Sequence, residues 1–280
     1  MNPTLSIVIA TLDCAVDLDA CLDSAQKVLT GLEKYEYEII IKDCSSDKSV
    51  KEVFEKYQPL LSLKYHHQKD SGIYDAWNQA MKYCHGQWVY FMGADDTFIE
   101  GFDFDNLREA FNTDDSPLIS IPVMYVYGEE TLVATINKDT FLKKIRYSNP
   151  FHHQGIFHRA TALKQLEFDP KFKVSGDFDL MLKIIEVNPE LILCLNSKPM
   201  VRMYSGGISS RIDTNLLRLK ERARVRAKNG ISTNHPIIMC AYLAAHVKTI
   251  LLLFISDKTL SNAYFYIKST LGKTLKKIFQ

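Results

Sequence analysis

Apolar positions along the first hundred residues change period in a regular way. The run Leu5-Ser6-Ile7-Val8-Ile9-Ala10 is short, β-branched and almost unbroken, the pattern of a strand covered on both faces. Over 17–34 the apolar residues Leu18, Cys21, Leu22, Ala25, Val28, Leu29 and Leu32 recur at helical spacing, and a helix is expected there. Tyr37-Glu38-Ile39-Ile40-Ile41 returns to the strand pattern and ends at Lys42-Asp43. Ser45, Ser46 and Asp47 offer caps for a helix reaching Tyr57, which Pro59 stops. A strand over 61–66, a helix over 72–83 and a strand over 88–92 complete the alternation. This order predicts an α/β fold, a Rossmann-like and mostly parallel sheet flanked by helices.

Sheets of this kind bind ligands beyond the carboxyl ends of their strands. Just past the first, second and fourth strands stand Thr11-Leu12-Asp13, Asp43-Cys44-Ser45 and Gly93-Ala94-Asp95-Asp96, so carboxylates collect at one edge. Adjacent acids at a strand end repel each other and lose solvation, a cost that a divalent cation offsets. Mg2+ or Mn2+ takes one or two carboxylates and leaves room for phosphate. Asp95 and Asp96 are therefore candidate ligands, with a solvated acidic loop as the alternative.

Beyond Asp96 the periodicity loosens. A helix near 104–112, a strand over 118–126 and a hairpin over 127–136 turning near Gly128 are expected. There follow a strand carrying His153, Gln154 and Phe157, a helix from 159, and an apolar helix over 178–187 behind Val174-Ser175-Gly176-Asp177. A strand over 191–195, a turn at Gly206-Gly207 and a basic helix over 215–228 close the pattern.

Composition narrows the class without naming it. The 280 residues are 46% hydrophobic and 24% charged with a net charge of +1, an ordinary balance for a globular protein and unlike that of a dedicated nucleic-acid binder. The charge is uneven: Arg202, Arg211, Arg218, Lys220, Arg222, Arg224, Arg226 and Lys228 face only Asp213 and Glu221 in that stretch. Such a segment either meets an anion, such as phospholipid or a diphosphate, or forms a solvated helix face. Six cysteines without a C-x-x-C pair fit reduced thiols and a cytoplasmic setting, and the amino terminus reads as a strand rather than a signal peptide. The apolar segment 236–255 is interrupted by His246 and Lys248. It reads as an in-plane helix at the inner face of the plasma membrane, or a buried helix, before it reads as a crossing one.

The segment Asp70-Ser71-Gly72-Ile73-Tyr74-Asp75-Ala76-Trp77-Asn78, then Gly86 and the strand into Asp95-Asp96, resembles the family-2 nucleotide-sugar glycosyltransferases of GT-A fold. The opening Ser6-Ile7-Val8-Ile9-Ala10-Thr11 and Asp43-Cys44-Ser45-Ser46-Asp47 match as well, although Lys42 and Cys44 replace the usual neighbours of the acid. His153-Gln154, Gly176-Asp177-Phe178-Asp179 and Gly206-Gly207-Ile208-Ser209 look like landmarks of a bacterial branch that builds surface polysaccharides. The resemblance implies a GT-A domain over 1–210 and a helical, basic, membrane-surface appendage over 211–280. By the same resemblance Thr11, Asp43, Asp70, Gly72 and Asp95 bind the nucleotide, and Asp95 and Asp96 hold Mg2+ or Mn2+. Asp75 is explained equally well by helix capping.

The resemblance further implies inverting transfer from a nucleotide-sugar, UDP-linked, to a saccharide or polyprenyl-diphosphate-linked acceptor. Asp177 matches the base position, with Gly176 in place of the usual acidic neighbour; Asp179 could instead cap or pair within its helix turn. His153, Gln154 and Arg202 fall on the acceptor or diphosphate side. A catalytically silent nucleotide-sugar-binding protein of the same fold is the alternative. A nucleotidyltransferase is disfavoured, because Thr11-Leu12-Asp13-Cys14 is not a glycine-rich phosphate loop.

Overall fold

The structure is a computed structural model that describes residues 3–233 apart from 30–31, 34–35, 113–115, 147–148, 188–191 and 205–213, with 236, 238–240, 242, 243 and 247 beyond. The apolar runs become the buried strands β1 (Leu5–Thr11), β2 (Tyr37–Asp43) and β4 (Trp88–Gly93), and the more polar β3 (Leu63–His67) forms an edge of the sheet. Between them lie α1 (Ala15–Leu29), α2 (Ser49–Tyr57) and α3 (Ile73–Met81). Helix α1 buries the predicted stripe of Leu18, Cys21, Leu22, Ala25, Val28 and Leu29, but starts two residues earlier than expected and ends at Leu29.

β5 (Thr97–Phe98), α4 (Asp105–Phe111), β6 (Leu118–Ser120), β7 (Val123–Tyr127) and β8 (Glu130–Ala134) follow. Next come α5 (Lys138–Lys144), a 3-10 turn at His153–Gly155, β9 (Ile156–Arg159), α6 (Ala160–Leu166) and α7 (Gly176–Val187). The last elements are β10 (Ile192–Cys194), β11 (Val201–Tyr204) and α8 (Asn215–Lys228).

Seven strands form one sheet in the order β10-β6-β9-β4-β1-β2-β3, parallel except for β9, which runs antiparallel to β4 and β6. A second sheet, β5-β11-β7-β8, stands beside it. The expected single strand over 118–126 is thereby corrected. Pro122 has no N–H to donate, and around it the chain leaves the large sheet at Ser120 and enters the small one at Val123. Likewise His153 and Gln154 lie in a tight turn, not in the strand, because Gly155 is pressed against Ile121: a Cβ there would stand 2.6 Å from the Ile121 carbonyl oxygen.

Two apolar clusters sandwich the large sheet. One joins Ile7, Ile9, Ile39 and Ile41 to α1 and Trp88; the other joins Val8, Ile40, Val89 and Phe91 to Phe178, Leu180 and Ile184 of α7. Alternate residues of each strand serve opposite clusters, which is why the runs carry no polar period. A mostly parallel sheet flanked by helices is the arrangement that the strand–helix alternation predicts. The boundary expected near residue 210 falls outside the described residues, as do Gly206, Gly207, Arg211 and most of 236–255.

Candidate functional site

Register brings the acids to one level. Thr11 lies opposite Asp43 and Ala10 opposite Gly93, so the chain beyond β1, β2 and β4 emerges along a common edge. The Cys14 thiol, just past β1, is pushed up mainly by burial, with the charges of Asp17, Asp43 and Asp95 adding to it; acids from two strand ends therefore act on one space.

Asp43 is fully buried and held on both oxygens. Its Oδ1 accepts from Thr11 Oγ1 at 2.9 Å, Ser45 N at 3.0 Å and Ser45 Oγ at 2.6 Å. Its Oδ2 accepts from Tyr65 Oη at 2.6 Å and lies 3.2 Å from His67 Nδ1. Burial raises its carboxyl pKa, but these donors outweigh it and hold the group below the usual range. The partner most open to solvent is His67, whose side chain is 53% exposed.

Next to Asp43, the buried Lys42 ammonium pairs with Asp70 Oδ2 at 2.9 Å, while Asp70 Oδ1 accepts from Gly72 N at 3.0 Å. This tie shapes the loop entering α3, where Gly72 adopts φ 131°, a conformation that favours glycine. Asp75 accepts from Ser71 N at 2.8 Å and Ser71 Oγ at 3.0 Å, a local capping role.

Asp95 is exposed, whereas Asp96 is 2% exposed and turned back on β4, accepting weakly from Gly93 N at 3.3 Å. Burial, then the Asp95 charge, pushes the Asp96 carboxyl up to about 8, against the Gln154 side chain and the backbone of Gly93 and Tyr204. A Cβ at Gly93 would stand 2.5 Å from an Asp95 oxygen and 2.8 Å from an Asp96 oxygen, so a side chain there would displace both carboxylates. Among the described residues no three His, Cys, Asp or Glu side chains converge on one point. The two hard carboxylates fit a cation that draws its other ligands from phosphate and water.

Asp177 begins α7 on the opposite flank. Its Oδ1 accepts from Phe178 N at 2.8 Å and Tyr74 Oη at 3.3 Å, and its Oδ2 from Asn149 Nδ2 at 3.4 Å. Desolvation raises its pKa, opposed by these donors and by the charge of Arg222. Asp179, one helix step on, is fully buried and paired with Lys183 at 2.9 Å and Lys228 at 3.0 Å, so it is consumed in structure.

Of the remaining candidates, Gln154 acts on Asp96, whereas His153 is buried beneath, stacked on Trp77 at 4.8 Å with neither ring nitrogen hydrogen-bonded. Burial drives its pKa down to about 3, so the ring is neutral. Arg202 lies on β11 between Thr97 and Met124, two residues before Tyr204 and on the same strand face. Sequence reasoning passed over Asn149, Tyr125 and the direct contact of Tyr74 with Asp177. Tyr74 lay inside a recognised motif, but Asn149 and Tyr125 sit in segments without a periodic signal.

Residues 6–165 match the family model described as glycosyl transferase family 2. The chain is similar to the PGL/p-HBAD biosynthesis glycosyltransferase of Mycobacterium bovis, at 27% identity over 196 residues, 68% of this chain and 72% of that protein. It is also similar to the minor teichoic acid biosynthesis protein GgaB of Bacillus subtilis, at 25% identity over 75% of this chain but only 24% of that protein. Among solved structures, S. aureus TarS 1-349 in complex with UDP-GlcNAc superposes with a TM-score of 0.60 at 20% identity, covering 80% of this chain and 66% of that one. The mannosyltransferase PcManGT from Pyrobaculum calidifontis, in complex with GDP-Man and Mn2+, gives 0.61 at 16% identity over 97% and 81%. The chain spans 39% of the longer TarS chain. At these identities the structural likeness establishes the fold.

Proposed function

The chain belongs to glycosyl transferase family 2, and from that membership we propose that it transfers a sugar, with inversion, from a UDP-linked donor to a saccharide or polyprenyl-diphosphate-linked acceptor in surface polysaccharide assembly. The observation that carries the reading is the buried, proton-holding Asp96 beside Asp95, level with Thr11 and Asp43 at one sheet edge. The names of the mycobacterial and Bacillus relatives support the polymer class, and the ligands of the TarS and PcManGT structures support a nucleotide-sugar donor.

In this account Thr11, Asp43, Asp70 and Gly72 surround the nucleoside, with a base N–H taking the place of His67 on Asp43. Asp95 meets the ribose, and Asp95 and Asp96 hold Mg2+ or Mn2+. A divalent ion held by these two carboxylates would supply positive charge for the departing diphosphate, which then would need no general acid. Asp177 accepts the proton of the acceptor hydroxyl as that oxygen attacks the anomeric carbon. Its raised pKa makes it a stronger base, while Tyr74 and Asn149 fix its orientation. Gln154 and Arg202 line the diphosphate side, and His153, stacked on Trp77, anchors the turn that carries Gln154.

Membrane-surface docking belongs to the same proposal. Met239, Leu243 and Val247 are exposed at i, i+4, i+8 spacing, whereas Ile238 is buried and Tyr242 Oη donates to Leu219 O at 3.0 Å. An apolar stripe facing away from the protein, beside a basic segment, suits an in-plane helix. No helix among the described residues is long and apolar enough to cross a membrane.

A thermal-shift panel of UDP, GDP and dTDP, with and without Mn2+, tests the reading. A ligand of the native state raises the midpoint by mass action. UDP with Mn2+ is expected to give the largest shift; no shift with any nucleotide overturns the assignment.

A further inference from the structure

Helix α8 was expected in an appendage, yet it is bound to the segment that carries Asp177. Glu221, 2% exposed, accepts from Lys173 N at 2.7 Å and Val174 N at 2.8 Å, the amides just before α7. At the other end Lys228 and Asn229 reach Asp179 at 3.0 and 3.2 Å, and the Arg226 guanidinium lies 5.5 Å from the Phe178 ring centre. These ties fix which face of α8 looks inward.

That face carries Arg218 and Arg222, one turn apart. The Arg222 charge acts on Asp177 and Tyr74, and Arg218 acts on Arg222 and on Tyr125. Tyr125 in turn feels Asp96, and its hydroxyl is 2.9 Å from His152 Nδ1. Both arginines thus belong to the charge environment of Asp177 and Tyr125. Arg222 Nε is buried with no hydrogen-bond partner among the described residues, and no ion pair joins its guanidinium to Asp177. Burial and the neighbouring Arg218 push Arg222 down to about 10. A donor left unpaired beside a like charge is expensive to maintain, and an incoming anion relieves both costs.

We propose that Arg222, assisted by Arg218, binds a substrate phosphate in the cleft between α8 and the Asp177 loop. The inference rests on the glycosyltransferase reading. A planar guanidinium presents a fork that matches phosphate oxygens two at a time, which an ammonium cannot do. The phosphate comes either from the donor's diphosphate or from a phosphorylated acceptor; both present the same oxygens.

Isothermal titration of the full chain separates these sources. The proteins are wild type, Arg222→Met and Arg222→Lys, and the probes are UDP with Mn2+, uridine, and glycerol 3-phosphate. If the donor diphosphate is the ligand, Arg222→Met weakens UDP–Mn2+ at least tenfold, Arg222→Lys weakens it less, and uridine binding is unchanged. If the acceptor phosphate is the ligand, UDP–Mn2+ binding holds and glycerol 3-phosphate binding is lost from Arg222→Met. Should Arg222→Met fail to fold, Arg222→Lys carries the test, with a threefold or greater loss expected for one phosphate probe. Both variants binding every probe within twofold of wild type overturns the inference while leaving the glycosyltransferase reading intact. Wild type that binds no UDP sinks that reading instead, and wild type that binds neither phosphate probe sinks both.

Discussion

Asp96→Asn gives the sharpest prediction because its sign is opposite to the usual loss of a buried group. In the ligand-free protein the Asp96 carboxyl sits at about 8, whereas an ordinary aspartate, as in the unfolded chain, sits at 3.8. Below the lower value both states are protonated and the group contributes nothing. Between the two, the fold keeps a proton that the unfolded chain has released, so stability falls as pH rises. Above 8 the full cost is present. At about 1.4 kcal/mol per pKa unit, the difference amounts to roughly 6 kcal/mol. Asn fills nearly the same volume without charge. The variant should therefore match wild type near pH 4 and exceed it increasingly toward pH 8.5. Urea denaturation of both proteins at half-unit pH steps, without divalent ions, measures this directly. A stability gap that does not change with pH, or a wild type more stable at pH 8.5, refutes the reasoning. Saturating Mn2+ with UDP should reverse the ranking, since only wild type offers the second carboxylate.

Three further outcomes follow from the geometry. Asp177→Asn should lower turnover by a factor on the order of 100–10,000 while leaving UDP affinity within about twofold; equal loss of both in a transfer assay would place Asp177 in donor binding, unchanged turnover would exclude Asp177 as the base, and a wild type that binds UDP without any turnover would favour a catalytically silent protein. Lys42→Met strands Asp70 at the loop before α3 and should cost roughly 3–5 kcal/mol in urea denaturation, together with weakened nucleotide binding; a near-neutral result contradicts the role of that buried pair. His153 and His158 are held neutral by burial, with folded pKa values below the ordinary 6.5, so stability should fall as pH drops through 6.5 toward 3, by up to about 5 kcal/mol for His153. The double variant His153→Phe/His158→Phe should lack that part of the acid slope in the same titration.

Strands β1, β2 and β4 were legible because each is covered on both faces, so burial alone dictates an unbroken apolar run such as Ile39-Ile40-Ile41. Once those ends were known, parallel register made the grouping of Thr11, Asp43 and Asp95-Asp96 a consequence of topology. The tight turn at His153–Gly155 was not legible, since its cause is the backbone of Ile121, more than thirty residues away. The choice between Asp177 and Asp179 was half legible: Lys183 is an i,i+4 partner visible in the sequence, whereas Lys228 reaches Asp179 only through the fold. The basic run 218–228 shows the limit most clearly. Its composition announces an anion or a solvated face, but which arginines turn inward is decided by Glu221 holding the amides of Lys173 and Val174.

The 31P electron–nuclear double resonance spectrum of Mn2+ bound to the protein with UDP asks whether carboxylate and phosphate share one ion. The account predicts a phosphorus hyperfine coupling that appears with UDP, is absent with uridine, and disappears in Asp96→Asn. A protein-bound Mn2+ signal without phosphorus coupling, or one unchanged by Asp96→Asn, would contradict it.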